Sequence, residues 1–126
     1  MDKTKSPSSL PKTAQVVIQG IQEVKGKEIV FIDLRKITSR TCDYFVVCHG
    51  ESTTQVKAIA ESVEKETFET LNTKPWHVEG KQNSEWILLD YGDLMVHVFH
   101  QEARQHYNIE SLWGDAIIEP IQCERN

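Results

Sequence analysis

Apolar residues recur at helical spacing in two stretches of the chain. The first stretch predicts a helix over residues 10–25, with Pro11 in its first turn and Gly26 after its end. The second stretch begins at Ser52-Thr53-Thr54-Gln55, which matches a capping box, and predicts a helix of about five turns. Its apolar face is formed by Val56, Ile59, Ala60, Val63, Thr67 and Leu71. Each predicted helix therefore has one side that must pack against other elements.

Runs of β-branched and aromatic residues predict strands elsewhere in the chain. The runs at residues 28–34 and 44–48 are almost continuously apolar, as in strands that are buried on both faces. Shorter and more alternating runs predict further strands at residues 76–79, 86–91 and 94–100. The last two of these are joined through a turn at Asp90-Tyr91-Gly92-Asp93.

A short helix over residues 101–107 and a packing segment over residues 109–113 complete the predicted elements. Their order predicts an α/β (α+β) fold, with a mixed sheet of about five strands and one long crossover helix. We expect the helices to lie mainly on one face of this sheet.

Alternation along the last predicted strand separates two kinds of surface. One side is aliphatic and suits packing under helices. The other side carries Asp93, Met95, His97 and Phe99, a mixture that is typical of a surface that meets a partner. The alternative is that the later segment carrying Trp113 covers this side.

The charge of the chain is concentrated in its second half. The 126 residues contain 14 Lys and Arg against 19 Asp and Glu, a formal net charge of −5. Residues 1–73 are balanced, with 10 basic and 10 acidic side chains, whereas residues 74–126 have 4 basic and 9 acidic ones. A domain that binds phosphate backbones directly would carry a basic stripe instead. The sequence therefore favours a basic protein or a metal as the partner of the C-terminal half over direct contact with nucleic acid.

Other classes of protein are disfavoured by the composition. No apolar run approaches the roughly 18–20 residues that span a bilayer, and the N-terminus lacks the apolar stretch of a secretory signal. The three cysteines form no closely spaced pair, so a disulfide framework is not expected. We therefore expect a cytoplasmic protein with no membrane contact.

Candidate chemistry is sparse. The five histidines show no ligand-spaced pair that faces the same way, so we expect no metal and no cofactor. Cys48 and His49 could be a nucleophile and its base, but neighbouring residues of a strand face opposite ways.

The segment Gly50-Glu51-Ser52, between a strand and the long helix, stands where nucleotidyltransferases place a Gly-Ser pair for phosphate. Glu51 brings negative charge there, and no strand carries the paired carboxylates that would hold Mg²⁺. The residues alone thus indicate a small acidic domain that is a binding module rather than an enzyme. A nucleotidyltransferase-like enzyme or a nucleotide-binding protein is the alternative.

Several segments occur in the order of one family pattern. They are Asp43-Tyr44-Phe45-Val46-Val47-Cys48, Gln55-Val56-Lys57-Ala58-Ile59-Ala60, Val78-Glu79-Gly80, Trp86-Ile87-Leu88-Leu89-Asp90-Tyr91-Gly92-Asp93, Val96-His97-Val98-Phe99-His100, Ala103-Arg104 and Tyr107-Asn108-Ile109-Glu110-Ser111-Leu112-Trp113-Gly114-Asp115-Ala116. Together they closely resemble the Iojap family, the ribosomal silencing factors RsfS. The resemblance covers residues 10–116 as a single domain, which leaves residues 1–9 as a flexible tail and residues 117–126 as a C-terminal tail. Gln101 departs from the family pattern, in which proline is common.

The resemblance implies a nucleotidyltransferase-like fold that lacks the catalytic residues. It also implies a repressor of translation that binds the large ribosomal subunit through its protein number fourteen and hinders the joining of the small subunit. A role in large-subunit biogenesis and a homodimer in the free state are further implications of the resemblance.

The acidic C-terminal half would then orient the protein toward a basic ribosomal protein. We expect this contact to be made by the hairpin and its strands, at Trp86, Asp90, Tyr91, Asp93, Met95 and His97. For Trp86 and Trp113, packing in the core is an equally supported interpretation. Which face Trp86 shares depends on whether the hairpin loop has two or three residues.

Overall fold

The protein is described by a computed structural model in residues 10–37, 42–113 and 116–121. The predicted N-terminal tail, residues 1–9, lies outside the described residues. The helices are α1 (Lys12–Glu23), α2 (Thr53–Leu71), α3 (Gln101–Tyr107) and a 3₁₀ helix (Ile109–Trp113). The strands are β1 (Lys27–Asp33), β2 (Tyr44–Gly50), β3 (His77–Glu79), β4 (Trp86–Asp90), β5 (Leu94–His100) and β6 (Ile117–Pro120). The predicted order of elements is therefore confirmed up to the 3₁₀ helix.

The strands form one mixed sheet in the order β3-β4-β5-β2-β1-β6. β2 and β5 are parallel, and all other neighbouring pairs are antiparallel. The parallel pair arises because α2 carries the chain back over the sheet after β2, as crossover helices do.

The sheet has six strands rather than the predicted five or so. Residues 117–120, which we expected to belong to a C-terminal tail, pair antiparallel with β1 from Ile117 opposite Asp33 to Pro120 opposite Val30. The prediction was wrong because Ile117 and Ile118 are too short a run to indicate a strand without the partner that supplies their hydrogen bonds. The domain thus continues at least to Ile121, whose N–H donates to the carbonyl of Ile29 at 2.8 Å.

The long helix begins as its sequence predicts. The Ser52 hydroxyl accepts a hydrogen bond from the N–H of Gln55 at 3.1 Å, and the Gln55 side chain in turn accepts one from the N–H of Glu51. At the other end Asn72 adopts a left-handed conformation, with φ of 53°. Among the described residues, no helix combines the length and apolar character that crossing a membrane requires.

Each face of the sheet packs against a different layer. α1 and α2 cover one face through residues such as Val17, Ile59 and Val63, which belong to the same buried cluster as Val96 and Val98 of β5. The opposite face holds a smaller cluster around Phe45, Val47 and Phe99, and it is covered partly by α3 and the 3₁₀ helix. Helices do lie mainly on one face, and the described residues leave part of the second face uncovered.

Candidate partner-binding face

The hairpin between β4 and β5 has a loop of two residues, Gly92 and Asp93. The N–H of Tyr91 donates to the carbonyl of Leu94 at 2.9 Å, which closes the turn. Gly92 has a φ of +95°, and a positive φ at the first loop position alone is the pattern of a type II′ turn. This loop length sets the register of the two strands, in which Trp86 lies opposite Phe99 and Asp90 opposite Met95.

The register decides which predicted residues share a face. Directly opposed residues of antiparallel strands point to the same side of the sheet. Four of the predicted residues, Trp86, Asp90, Met95 and His97, therefore lie together on the second face of the sheet. Leu88, opposite His97, joins them. We call the set Trp86, Leu88, Asp90 and Met95 the open face, because all four are only partly buried.

Tyr91 lies on the other side of the sheet, away from the open face. Its exposed fraction is 7%, and it packs in the core beneath α2. Its hydroxyl lies 2.9 Å from the Thr67 hydroxyl, and burial raises the pKa of the phenol. The expectation that Tyr91 belongs to the partner surface is therefore corrected. The two-residue loop leaves Tyr91 paired with Leu94, and alternation along the strand turns its side chain to the side opposite Asp90.

Trp86 lies within a group of aromatic rings rather than isolated on the surface. Its indole centroid is 4.9 Å from that of Phe99 and 4.8 Å from that of Tyr107. It is half-buried, so it both packs and presents an edge to solvent. The side chain of Trp113, the predicted alternative cover for this face, lies outside the described part of the chain.

His97 is the most enclosed of the predicted residues. Its exposed fraction is 4%, and burial lowers the pKa of its imidazole to about 4. The indole N–H of Trp86 donates to Nδ1 of His97 at 3.1 Å. Because an indole N–H can only donate, Nδ1 must be the acceptor, and the proton of the neutral ring is on Nε2. His97 therefore supports Trp86 from beneath the open face.

Carboxylates lie within the open face and beside it. The side chain of Asp90 accepts a hydrogen bond from the N–H of Gly92 at 2.8 Å, and Asp93 is exposed at the tip of the turn. Glu79 of β3 is paired with Leu88 in the register and is also exposed. At the other end of β4, a recess of ≈ 220 Å³ is lined in part by Glu85, Glu102 and Tyr107.

Two residues of this region were missed by the sequence analysis. Leu88 follows Trp86 by two positions, and strand alternation would have added it once the face of Trp86 was known. Tyr107 is 50% exposed and reaches Trp86 from α3. The spacing of Ala103 and Tyr107 on a predicted helix was the signal for the second residue.

Arg104 links α3 to the far end of the sheet. Its guanidinium donates to the carbonyl of Glu28 at 2.8 Å, to Nδ1 of His49 at 2.9 Å and to the Glu110 carboxylate at 2.8 Å. Burial and the Arg104 charge lower the pKa of His49. The bond from Arg104 engages Nδ1 of His49, and Cys48 points to the opposite face of the sheet, so the two residues do not form a nucleophile–base pair.

The described residues do not form the nucleophile, phosphate or metal sites that the sequence analysis considered. Cys48 is fully buried, and burial raises its pKa to about 12, so the thiol stays protonated. Where nucleotidyltransferases bind phosphate, the N–H groups of Glu51 and Gln55 already bond side chains of the capping box. In the parts of the chain that the structure describes, no group of three His, Cys, Asp or Glu side chains is placed to hold a metal ion.

Comparison with known proteins identifies the family. A family model described as "Ribosomal silencing factor during starvation" matches residues 7–126. The "Ribosomal silencing factor RsfS" of Halalkalibacterium halodurans is 38% identical over 102 residues, which are 81% of this chain and 86% of that protein. The "Protein Iojap, chloroplastic" of Zea mays is 32% identical over 79% of this chain and 42% of its own length.

A crystal structure of a protein from Chromobacterium violaceum has a similar fold. It superposes with a TM-score of 0.77 at 37% sequence identity, covering 82% of this chain and 84% of that one. The fold, the hairpin sequence and the family match agree, and the chain belongs to the family of ribosomal silencing factors.

Proposed function

We propose that this protein represses translation by binding the large ribosomal subunit through a basic ribosomal protein, number fourteen of that subunit. Bound there, it would occupy the surface that the small subunit must reach, and the two subunits could not join. It would act in the cytoplasm, as a steric block that transforms no substrate. The family name, which refers to silencing of ribosomes, supports the coarser part of this proposal.

The observation that carries the proposal is the composition of the open face. Trp86, Leu88 and Met95 offer adjacent apolar surface, and Asp90 lies beside them. Apolar centres rimmed by charges are typical of protein interfaces, and aromatic and Met side chains are enriched there. The acidic rim would complement a basic protein and would orient it during encounter.

The same face supports two further parts of the proposal. Apolar surface of this kind can also bind a second copy of the chain, so we propose a homodimer in the absence of ribosomes. A protein that stays on the large subunit could also assist its biogenesis, because it would shield an unfinished subunit from premature joining.

Sedimentation with separated ribosomal subunits tests the proposal. We expect the wild-type protein to pellet with purified large subunits and not with small ones, and to reduce the formation of joined ribosomes. Leu88→Glu places an uncompensated charge in the open face and should weaken binding by tenfold or more, an effect of about 1.4 kcal/mol. Asp93→Lys should weaken binding more at low salt than at high salt, because screening removes the attraction between exposed charges.

Glu61→Lys is the matched control for the charge reversal. Glu61 is exposed on α2, which covers the opposite face of the sheet, so its variant should bind like the wild type. Equal binding by wild type, Leu88→Glu and Glu61→Lys would show that the open face is not the contact. A rise in melting temperature with nucleoside triphosphate and Mg²⁺ would favour the nucleotide-binding alternative instead.

A further inference from the structure

Trp76 is the most exposed large hydrophobic side chain among the described residues. Its exposed fraction is 79%, compared with 50% for Tyr107 and 48% for Phe68. Trp is highly buried on average in folded proteins and is enriched where partners bind. Trp76 precedes β3 and is not part of the open face, so the proposed contact leaves its exposure unexplained.

Trp76 is nevertheless held in a defined position. Its backbone N–H donates to the carbonyl of Asp90 at 2.7 Å. Its six-membered ring lies over Gly92, where an added Cβ would come within 3.1 Å of the ring atoms Cη2 and Cζ2. The absence of a side chain at Gly92 therefore allows the indole to pack against the backbone of the turn. A side chain that is ordered before binding loses less entropy when a partner arrives.

Two aspartates adjoin Gly92, over which the Trp76 ring lies. Gly92 lies between Asp90, which is fixed by its hydrogen bond to the Gly92 N–H, and Asp93, which is exposed. The nearest lysine in sequence, Lys74, lies over the ring of Phe68 with its ammonium 5.2 Å from the centroid. An exposed aromatic ring beside two carboxylates is complementary to a cation.

We propose that Trp76, Asp90 and Asp93 form a receptor at the hairpin turn for an arginine side chain of the partner. Trp is the strongest cation–π partner among the side chains, and a guanidinium can stack on its ring while its edge donates to carboxylates. A lysine ammonium could reach the carboxylates but would lack the planar stacking. The identity of the partner rests on the proposed function, whereas the receptor itself is local and can be measured alone.

The first test is the affinity for purified large subunits. Trp76→Ala should weaken binding about fivefold or more. Trp76→Phe should weaken it less, because Phe keeps an aromatic ring, although its cation–π attraction is weaker than that of Trp. Asp93→Asn should also weaken binding. The double variant should lose less than the product of the two single losses, because both residues hold the same group. Phe68→Ala, another exposed aromatic without flanking aspartates, is the control and should bind like the wild type.

The second test uses the protein alone with N-acetylarginine amide as probe. The NMR signals of the Trp76 indole and the Gly92 amide should shift on titration in the wild type and remain unshifted at the same positions in Asp93→Asn. Absence of a shift in the wild type would overturn the receptor. If the wild type shifts with the probe but does not bind large subunits, the proposed function fails and the receptor stands.

The two tests also separate arginine from a nucleic-acid base. If Trp76→Ala weakens subunit binding while Asp93→Asn tightens it, the ring stacks on an RNA base and the arginine receptor is wrong. If both Trp76→Ala and Asp93→Asn bind large subunits as well as the wild type, the receptor is wrong while the proposed function stands.

Discussion

The indole N–H of Trp86 donates a hydrogen bond to Nδ1 of His97 across neighbouring strands, at 3.1 Å. This bond orients the largest side chain of the open face and requires His97 to be neutral, because a protonated ring has no acceptor. The shape of the proposed contact surface therefore depends on a buried histidine with its pKa lowered to about 4.

We expect the stability of the protein to fall in mild acid for this reason. In the unfolded chain a histidine takes up a proton near its ordinary pKa of 6.5, whereas His97 in the folded chain does so only near 4. The unfolded state thus binds more protons between these values, and stability is lost as the pH falls from about 6.5 to about 4. The loss attributable to His97 is on the order of 3 kcal/mol.

Urea unfolding of wild type and His97→Gln at pH 7 and pH 4.5 would measure this effect. The glutamine does not titrate and can still accept from the Trp86 indole, so the variant should lose less stability on acidification. Carboxylates and His49 contribute equally to both proteins, and equal pH dependence would contradict the role of His97.

The hydrogen bond between the Tyr91 and Thr67 hydroxyls should stabilise the fold and have no part in binding the ribosome. Tyr91→Phe should lower the free energy of unfolding by about 1 kcal/mol, the usual net contribution of such a bond. Thr67→Val in the Tyr91→Phe background should then cost less than Thr67→Val alone. Binding of Tyr91→Phe to large subunits should equal that of the wild type. A large loss of affinity for large subunits in folded Tyr91→Phe would show that Tyr91 does contribute to the contact.

Gly80→Ala should destabilise the protein strongly. Gly80 has a φ of +93°, and an added Cβ would lie 2.0 Å from the carbonyl oxygen of Trp86. Strain at positive φ and the clash with backbone together should cost about 2–4 kcal/mol. Gln82→Ala, at an exposed neighbouring position, is the comparison and should change stability by no more than about 0.5 kcal/mol. Thermal unfolding of both variants would measure the difference.

Arg104 should be far more important for stability than another arginine in an ion pair, Arg35. Arg104 is 7% exposed, and its removal leaves the buried Nδ1 of His49 and the partly buried acceptors of Glu28 and Glu110 unpaired. Arg104→Met should cost about 2–3 kcal/mol, because each lost bond to a buried or partly buried acceptor costs about 1 kcal/mol or more. Arg35 pairs with Asp33 at the surface, with 57% of its side chain exposed, so Arg35→Met should cost about 0–1 kcal/mol.

Arg104→Met should also disturb the open face at a distance. Arg104 and Tyr107 are both on α3, and Tyr107 packs on Trp86 with 4.8 Å between the ring centroids. A shift of the NMR signal of the Trp86 indole N–H in Arg104→Met, and none in Arg35→Met, would show that α3 positions this indole. An unshifted Trp86 signal in a folded Arg104→Met would show that Arg104 stabilises the fold without positioning Trp86.

Local patterns in the sequence were sufficient to predict most elements of the fold. The capping box at Ser52 sets the start of α2 through bonds between residues three apart, so its signal needs no distant partner. The aliphatic side of β5 follows from alternation alone, and the family resemblance followed from motifs such as that of the hairpin. These features depend on neighbours in sequence or on a period, and both can be read from the chain.

Tertiary structure decided what depends on distant partners and on register. β6 forms because the edge of β1 supplies its hydrogen-bond partners. Trp76 packs against Gly92 because the hairpin turn brings Gly92 beneath its ring. The two-residue loop placed Trp86 with His97 and removed Tyr91 to the core, since a shift of one residue exchanges the two faces of a strand. The sequence by itself determined which side chains were available for the contact surface. The register and packing, set by long-range hydrogen bonds, decided which of them lie together.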